Sequence, residues 1–116
     1  HHAFSAYACL DHMMAVQQFP ARVGAVESYP EVDVLIASLK QEAVSRVHLM
    51  PLMLVAGDHA INDMASDDDD SWKTQFTAAG IPAQAWLQGL GENPAIRAMF
   101  VAHLQQVLNE NQEIAA

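Results

Sequence analysis

Cations are scarce in this chain. Its 116 residues carry five Lys plus Arg against fourteen Asp plus Glu, a net charge of -9. So acidic a chain lacks the basic footprint that nucleic acid demands. It is equally unsuited to an anionic membrane surface. A small anionic ligand is not excluded, because helix N-termini bind anions inside acidic proteins. Cysteine is nearly absent: Cys9 stands alone, so no intrachain disulfide can form. Within a predicted helix it reads as a small buried apolar residue. No apolar run approaches membrane-spanning length, and no signal peptide is visible. The chain opens on His1-His2 rather than Met, which reads as a tag remnant or a break inside a longer protein. The cytoplasm is the expected compartment, with periplasmic export left open. Apolar residues, by contrast, make up 52%. That is enough for a core and too much for disorder. The length allows one domain, or part of a larger one.

Along the chain, Phe4, Tyr7, Ala8, Leu10 and Met14 recur at helical spacing and predict a helix over 3 to about 18. Pro20 ends it. Residues 22–26 predict a short strand, and 27–30 a turn. A helix over 31 to about 44 follows, with Val32, Leu35, Ile36, Leu39 and Ala43 on one face. Residues 47–56 form the near-continuous apolar run of a strand covered on both faces, with Pro51 marking a bulge or a position that donates nothing. A long polar connection over 57–70 follows, with one helical turn from Ala60. A helix over 71–79 is closed by Gly80. A third strand is predicted over 82–87. Asn93 then caps a helix over 95 to about 109 that opens on Pro94. The tail from Glu110 reads as frayed. Strands alternating with helices predict an α/β fold, a parallel sheet with helices on both faces. Three strands behind a leading helix look like the second half of something larger.

The richest motif is where the apolar run ends: Gly57-Asp58-His59-Ala60-Ile61-Asn62-Asp63. In an open α/β sheet, ligands bind beyond the carboxyl ends of the strands. An imidazole there can ligate a metal or act as a base near neutral pH. Asp58, Asn62 and Asp63 are candidates to hold its other ring nitrogen. Position and residue type together favour a site over a surface histidine. Glu27 ends the preceding predicted strand. If the two strands are neighbours, Glu27 and His59 share one edge and offer two ligands to Co, Ni, Fe or Zn. From spacing alone, a solvated turn residue explains Glu27 equally well. Gly89-Leu90-Gly91-Glu92-Asn93 closes the third strand and precedes a helix N-terminus. Its N–H groups suit a carboxylate, but an ordinary strand-to-helix turn is the simpler reading. His12, His48 and His103 read as core or surface residues. Asp67 to Asp70 lack the Gly and bidentate Glu of a calcium loop and read as a solvated loop capping the next helix.

Taken together, these motifs resemble one family. The run Val47 to Ala60 with Asn62-Asp63-Met64, Asp70-Ser71-Trp72-Lys73, and Gly89 through Arg97 are similar to the anaerobic, class II cobalt chelatases of cobalamin biosynthesis, the sirohydrochlorin cobaltochelatases. Tyr7 to His12, and Val23-Gly24 with Val26-Glu27 and Tyr29-Pro30, fit the same pattern. The resemblance implies two flavodoxin-like α/β halves with a tetrapyrrole between them, residues 1–116 being the C-terminal half. It implies a metal site of two histidines and a glutamate, the second histidine falling on His59 and the glutamate on Glu27. The family's first histidine lies in a Gly-His-Gly motif ahead of the first helix, and no such motif occurs here. The implied function is insertion of Co²⁺ into sirohydrochlorin, with cobalt as substrate metal and no organic cofactor. Ser28, Tyr29 and the 89–93 turn are then the expected substrate contacts. The upstream half is the expected partner, with self-association possible, and the fragment alone is expected to be inactive. The alternative is a metal- or tetrapyrrole-binding module without insertion activity. A receiver or flavin carrier ranks last, for want of an early acidic cluster or a phosphate-binding loop.

Overall fold

The computed structural model describes residues 3–115; the two leading histidines lie outside the described residues. Four α-helices, α1 (Phe4–Val16), α2 (Val32–Gln41), α3 (Trp72–Ala78) and α4 (Pro94–Ala115), accompany two short strands, β1 (Val47–Leu49) and β2 (Ala83–Ala85). A single π-helical turn spans His59–Met64, and a 3-10 turn spans Leu90–Glu92. The strands pair in parallel, Val47 opposite Ala83 and Leu49 opposite Ala85. The α/β class and parallel sheet follow the expectation from sequence.

The core forms where apolar faces converge. Leu35 and Leu39 of α2, Leu49 of β1, Ala60 and Met64 of the π-turn, Phe76 of α3 and Ile81 make one buried cluster. Ser71 is fully buried at the start of α3. Its hydroxyl accepts the Thr74 N–H at 3.2 Å and donates to the Ser66 carbonyl at 2.7 Å. The helix start and its turn are thus satisfied by one side chain. Of the acidic loop before it, Asp67 accepts a hydrogen bond from Lys73 at 2.7 Å.

Four expectations change. Residues 22–26 are not a strand. The Val23 N–H donates to the Asp11 side chain and the Ala25 N–H to the Pro30 carbonyl, so these donors never enter a ladder. The run over 47–56 is a strand only to Leu49. Pro51 has no N–H to give, and beyond it the Met53 and Leu54 carbonyls accept from Leu90 and Gly91 rather than from a strand. The tail from Glu110 continues α4 as regular helix. Cys9 is exposed, not buried.

One face of the sheet packs on the core through Val47, Leu49, Ala83 and Ala85. On the other, His48 and Gln84 are exposed, and Met50, Leu52 and Trp86 just beyond the strands are exposed too. Helices α1 and α4 do not cover them. α1 has no buried residue. The 22-residue α4 leaves the body behind the 3-10 turn and stretches the molecule to 62 Å against 29 and 26 Å in the other directions.

Candidate metal-binding edge

The π-turn decides which way His59 faces. Its wide ring, closed by the Ala65 N–H on the Ala60 carbonyl, turns Ala60 and Met64 into the core. His59 and Asp63 are left on the outer side, one turn apart. Single π-turns are often found at functional sites. The Asp63 carboxylate bonds His59 Nδ1 at 2.6 Å. Nδ1 is then the protonated nitrogen, and Nε2 remains as the ligating or basic atom, held in orientation by the carboxylate. Of the three residues expected around His59, only Asp63 makes this bond. Asp58 stands just before the π-turn and makes no side-chain capping bond, and Asn62 engages the chain through its backbone carbonyl, which accepts from Ser66 Oγ at 2.7 Å.

The electrostatics agree with the geometry. The hydrogen bond to Asp63 and that carboxylate's charge raise the His59 imidazole above its ordinary range, and the charges of Glu27 and Asp58 push the same way. Glu27 makes no hydrogen bond or ion pair with His59 among the described residues, and acts on it through this lesser charge effect alone. Glu27 itself is exposed. Beside it, the Ser28 hydroxyl is buried without a hydrogen-bond partner, and Tyr29 is half exposed. Among the described residues no group of three or more His, Cys, Asp or Glu side chains is disposed to hold a metal ion. His12, His48 and His103 are each exposed.

The 89–93 turn is explained by packing. A Cβ on Gly89 would run into the Leu54 carbonyl and lie 2.8 Å from the Val55 Cα; one on Gly91 would lie 2.9 Å from that carbonyl oxygen. Both glycines let the turn rest on the end of the apolar run. Its N–H groups are already engaged: Gly89 donates to the Glu92 carboxylate, Leu90 to Met53, Gly91 to Leu54, Glu92 to Gly89 and Asn93 to Leu90. The Asn93 side chain caps α4 by accepting the Ala95 N–H at 2.9 Å. The backbone donors of Gly89, Leu90, Gly91, Glu92 and Asn93, expected to meet substrate carboxylates, thus have partners within the chain. What spacing alone did not reveal is the pair Asp11 and Arg22, which ties α1 to the segment that carries Glu27.

Comparison with known proteins places this geometry in context. Residues 1–109 match the family model described as cobalt chelatase (CbiK). The chain is 79% identical over all of its 116 residues to a sirohydrochlorin cobaltochelatase of Salmonella typhimurium, covering 44% of that protein. It is 32% identical over 104 residues, 90% of its length, to a sirohydrochlorin cobaltochelatase of Nitratidesulfovibrio vulgaris, covering 37% of it. The chain thus spans less than half the length of these relatives. With the family model matched over nearly its whole length, the chain belongs to the cobalt chelatase (CbiK) family.

Proposed function

We propose that this chain is the C-terminal α/β domain of a two-domain sirohydrochlorin cobaltochelatase. In that reading, Co²⁺ and the metal-free tetrapyrrole meet at the edge defined by Glu27 and His59. The observation that carries it is the His59–Asp63 pair. An imidazole fixed through Nδ1 and bare at Nε2 suits a divalent ion that must be held and then released. Cobalt is a substrate here, so the site needs to be weaker than a structural one. His59 binds as neutral imidazole. Glu27 contributes a carboxylate ligand and compensating charge. A third ligand, the histidine of the Gly-His-Gly motif, would come from sequence outside these residues. Insertion forms four cobalt–nitrogen bonds and releases two pyrrole protons. His59 and Glu27, relieved of the metal, are the groups placed to accept them on the way to water. Ser28 and Tyr29 would border the macrocycle, and the unsatisfied Ser28 hydroxyl supports that assignment. No organic cofactor is required by this chemistry.

The partner is the other half of the full-length protein. The bare sheet face and the apolar stripe of α4 (Met99, Phe100, Leu104, Val107 and Leu108, all exposed) support it, since exposed apolar surface this continuous marks an interface. Without that half the same surfaces would pair between copies, which sedimentation would detect. We assign the protein to the cytoplasm, which cell fractionation tests.

The deciding experiment is Co²⁺-dependent conversion of sirohydrochlorin by the full-length protein, followed by absorbance. Insertion lost in His59→Ala supports the reading. Tetrapyrrole that binds but is never metallated overturns it and leaves a binding module.

A further inference from the structure

The geometry points to Asp11 and Arg22 as positioning residues for Glu27, an inference that rests on the reading of Glu27 as a group that meets the metal. The segment from Ala21 to Pro30 has no ladder to hold it. Its internal backbone bonds are short-range: Ala21 N–H to Phe19 and Ala25 N–H to Pro30. Polar links tie it to α1 and α2, and they meet at one carboxylate–guanidinium pair.

Asp11, midway along α1, accepts the Val23 N–H at 2.8 Å through Oδ1. The same carboxylate accepts from Arg22 Nε at 3.0 Å and, through Oδ2, from Arg22 Nη2 at 3.2 Å. The remaining Arg22 nitrogen, Nη1, reaches across to α2. It donates to Ser38 Oγ at 2.9 Å and to Glu42 Oε1 at 3.4 Å. One arginine therefore joins α1, the connecting segment and the C-terminal end of α2. The segment then runs back and enters α2 at its N-terminal end, so it is pinned at both ends of the same helix. Glu27 lies on the stretch between. Gly24 passes so close to Leu35 and Trp72 that a Cβ there would lie 2.6 Å from the Trp72 ring, which fixes the path of that stretch without adding a polar contact.

The pair is well placed for this work. Its side chains are 29% and 15% exposed, dry enough to be specific and wet enough to form without a buried-charge cost. Partial burial pushes the Asp11 carboxyl up, but the Arg22 hydrogen bonds, the Val23 N–H and the Arg22 charge outweigh it and hold it below the usual carboxylate range. Arginine is needed because three separate groups are addressed by one planar fork. Lysine has a single ammonium and cannot span them. No residue of α1 is fully buried, so this pair is a specific polar tie between α1 and the segment.

The test uses the full-length protein, assayed well below each variant's melting temperature. Arg22→Ala and Arg22→Lys should lower kcat for cobalt insertion by about ten- to a hundredfold with KM for sirohydrochlorin nearly unchanged, because displacement of a reacting group by about 1 Å costs that much. Asp11→Ala should do the same. Asp11→Asn, which keeps an acceptor for the Val23 N–H, should recover most of the rate. Arg22→Lys retains charge and serves if Arg22→Ala does not fold. Glu27→Ala is the control. If Glu27→Ala is inactive while all the Asp11 and Arg22 variants keep wild-type kcat, the positioning role is wrong and the site reading stands. If Glu27→Ala inserts cobalt normally, the reading of Glu27 falls and this inference falls with it. A lowered melting temperature with unchanged kcat in the folded enzyme would show a merely structural clamp and overturn the inference.

Discussion

The centre of the molecule and its periphery treat the same kinds of residue differently. Around β1, β2 and α3, apolar side chains find partners within the chain: Phe76, Ile81 and Leu35 are each at most 3% exposed. In α4, Phe100, Val101 and Leu104 are all more than half exposed. Both regions read alike in sequence, as helical stripes of large apolar residues. The difference is that α2 and α3 contribute to the core, whereas α4 runs out beyond it. Stability is thus concentrated in a small core. The chemistry we assign sits on its rim, where His59 and Glu27 are exposed and contribute little to folding.

That contrast can be broken at its strongest point first. Phe76→Ala should destabilise the chain by about 3–5 kcal/mol, the usual cost of deleting a buried ring, as measured by urea unfolding. His59→Ala should do the reverse: cobalt insertion by the full-length protein falls by about a hundredfold or more, while the melting temperature stays within a degree or so, as for exposed substitutions. A large drop in melting temperature would make His59 structural instead. Gly89→Ala should cost about 1–3 kcal/mol, because its Cβ meets the Leu54–Val55 backbone. Phe100→Ala should change the stability of the 116-residue chain by less than about 0.5 kcal/mol. A large loss there would mean that α4 is packed, not exposed.

The smallest effect is a shift in titration. His59 is raised by its bond to Asp63. A raised histidine favours its proton, so it stays charged to higher pH than an ordinary imidazole. Cobalt needs the neutral form. Binding should therefore weaken as pH falls through this raised midpoint. In Asp63→Asn the NMR midpoint of the His59 ring should move down toward the ordinary value. An unmoved midpoint would mean that the pair does not form in solution. Any stabilisation from the charged pair is present at low pH and fades as pH rises through the same midpoint. At so exposed a site it is small.

Much of this was legible in the residues. Ser71, Gly80 and Asn93-Pro94 marked helix boundaries that the structure keeps within a residue or two, because caps are local chemistry. The parallel pairing of β1 with β2 followed from the alternation of elements. The strand over 22–26 was not legible. Its composition suits a strand, but strands exist only by pairing, and Asp11, twelve residues away from Val23, captured the donor first. The Gly-rich turn was legible only in part, for a related reason. Glycine marks close approach, and sequence does not say whether the close neighbour is a ligand or Leu54. His59 is exposed on the outer side of the π-turn, but ten residues beyond the end of β1 rather than at the close of a strand. Its partner Asp63, four residues on, follows from one helical turn. The bond to it depends on the π-turn, which no spacing rule specifies.

The central claim is that this chain holds half of a cobalt site, built on His59. Calorimetric titration of Co²⁺ into the 116-residue chain, freed of any tag, beside its His59→Ala variant tests it most directly. The account predicts saturable binding that is weakened at least about tenfold by the substitution, the scale expected for loss of a metal ligand or its support. Equal binding by both proteins would contradict it, placing the metal on other groups and removing His59 from the site.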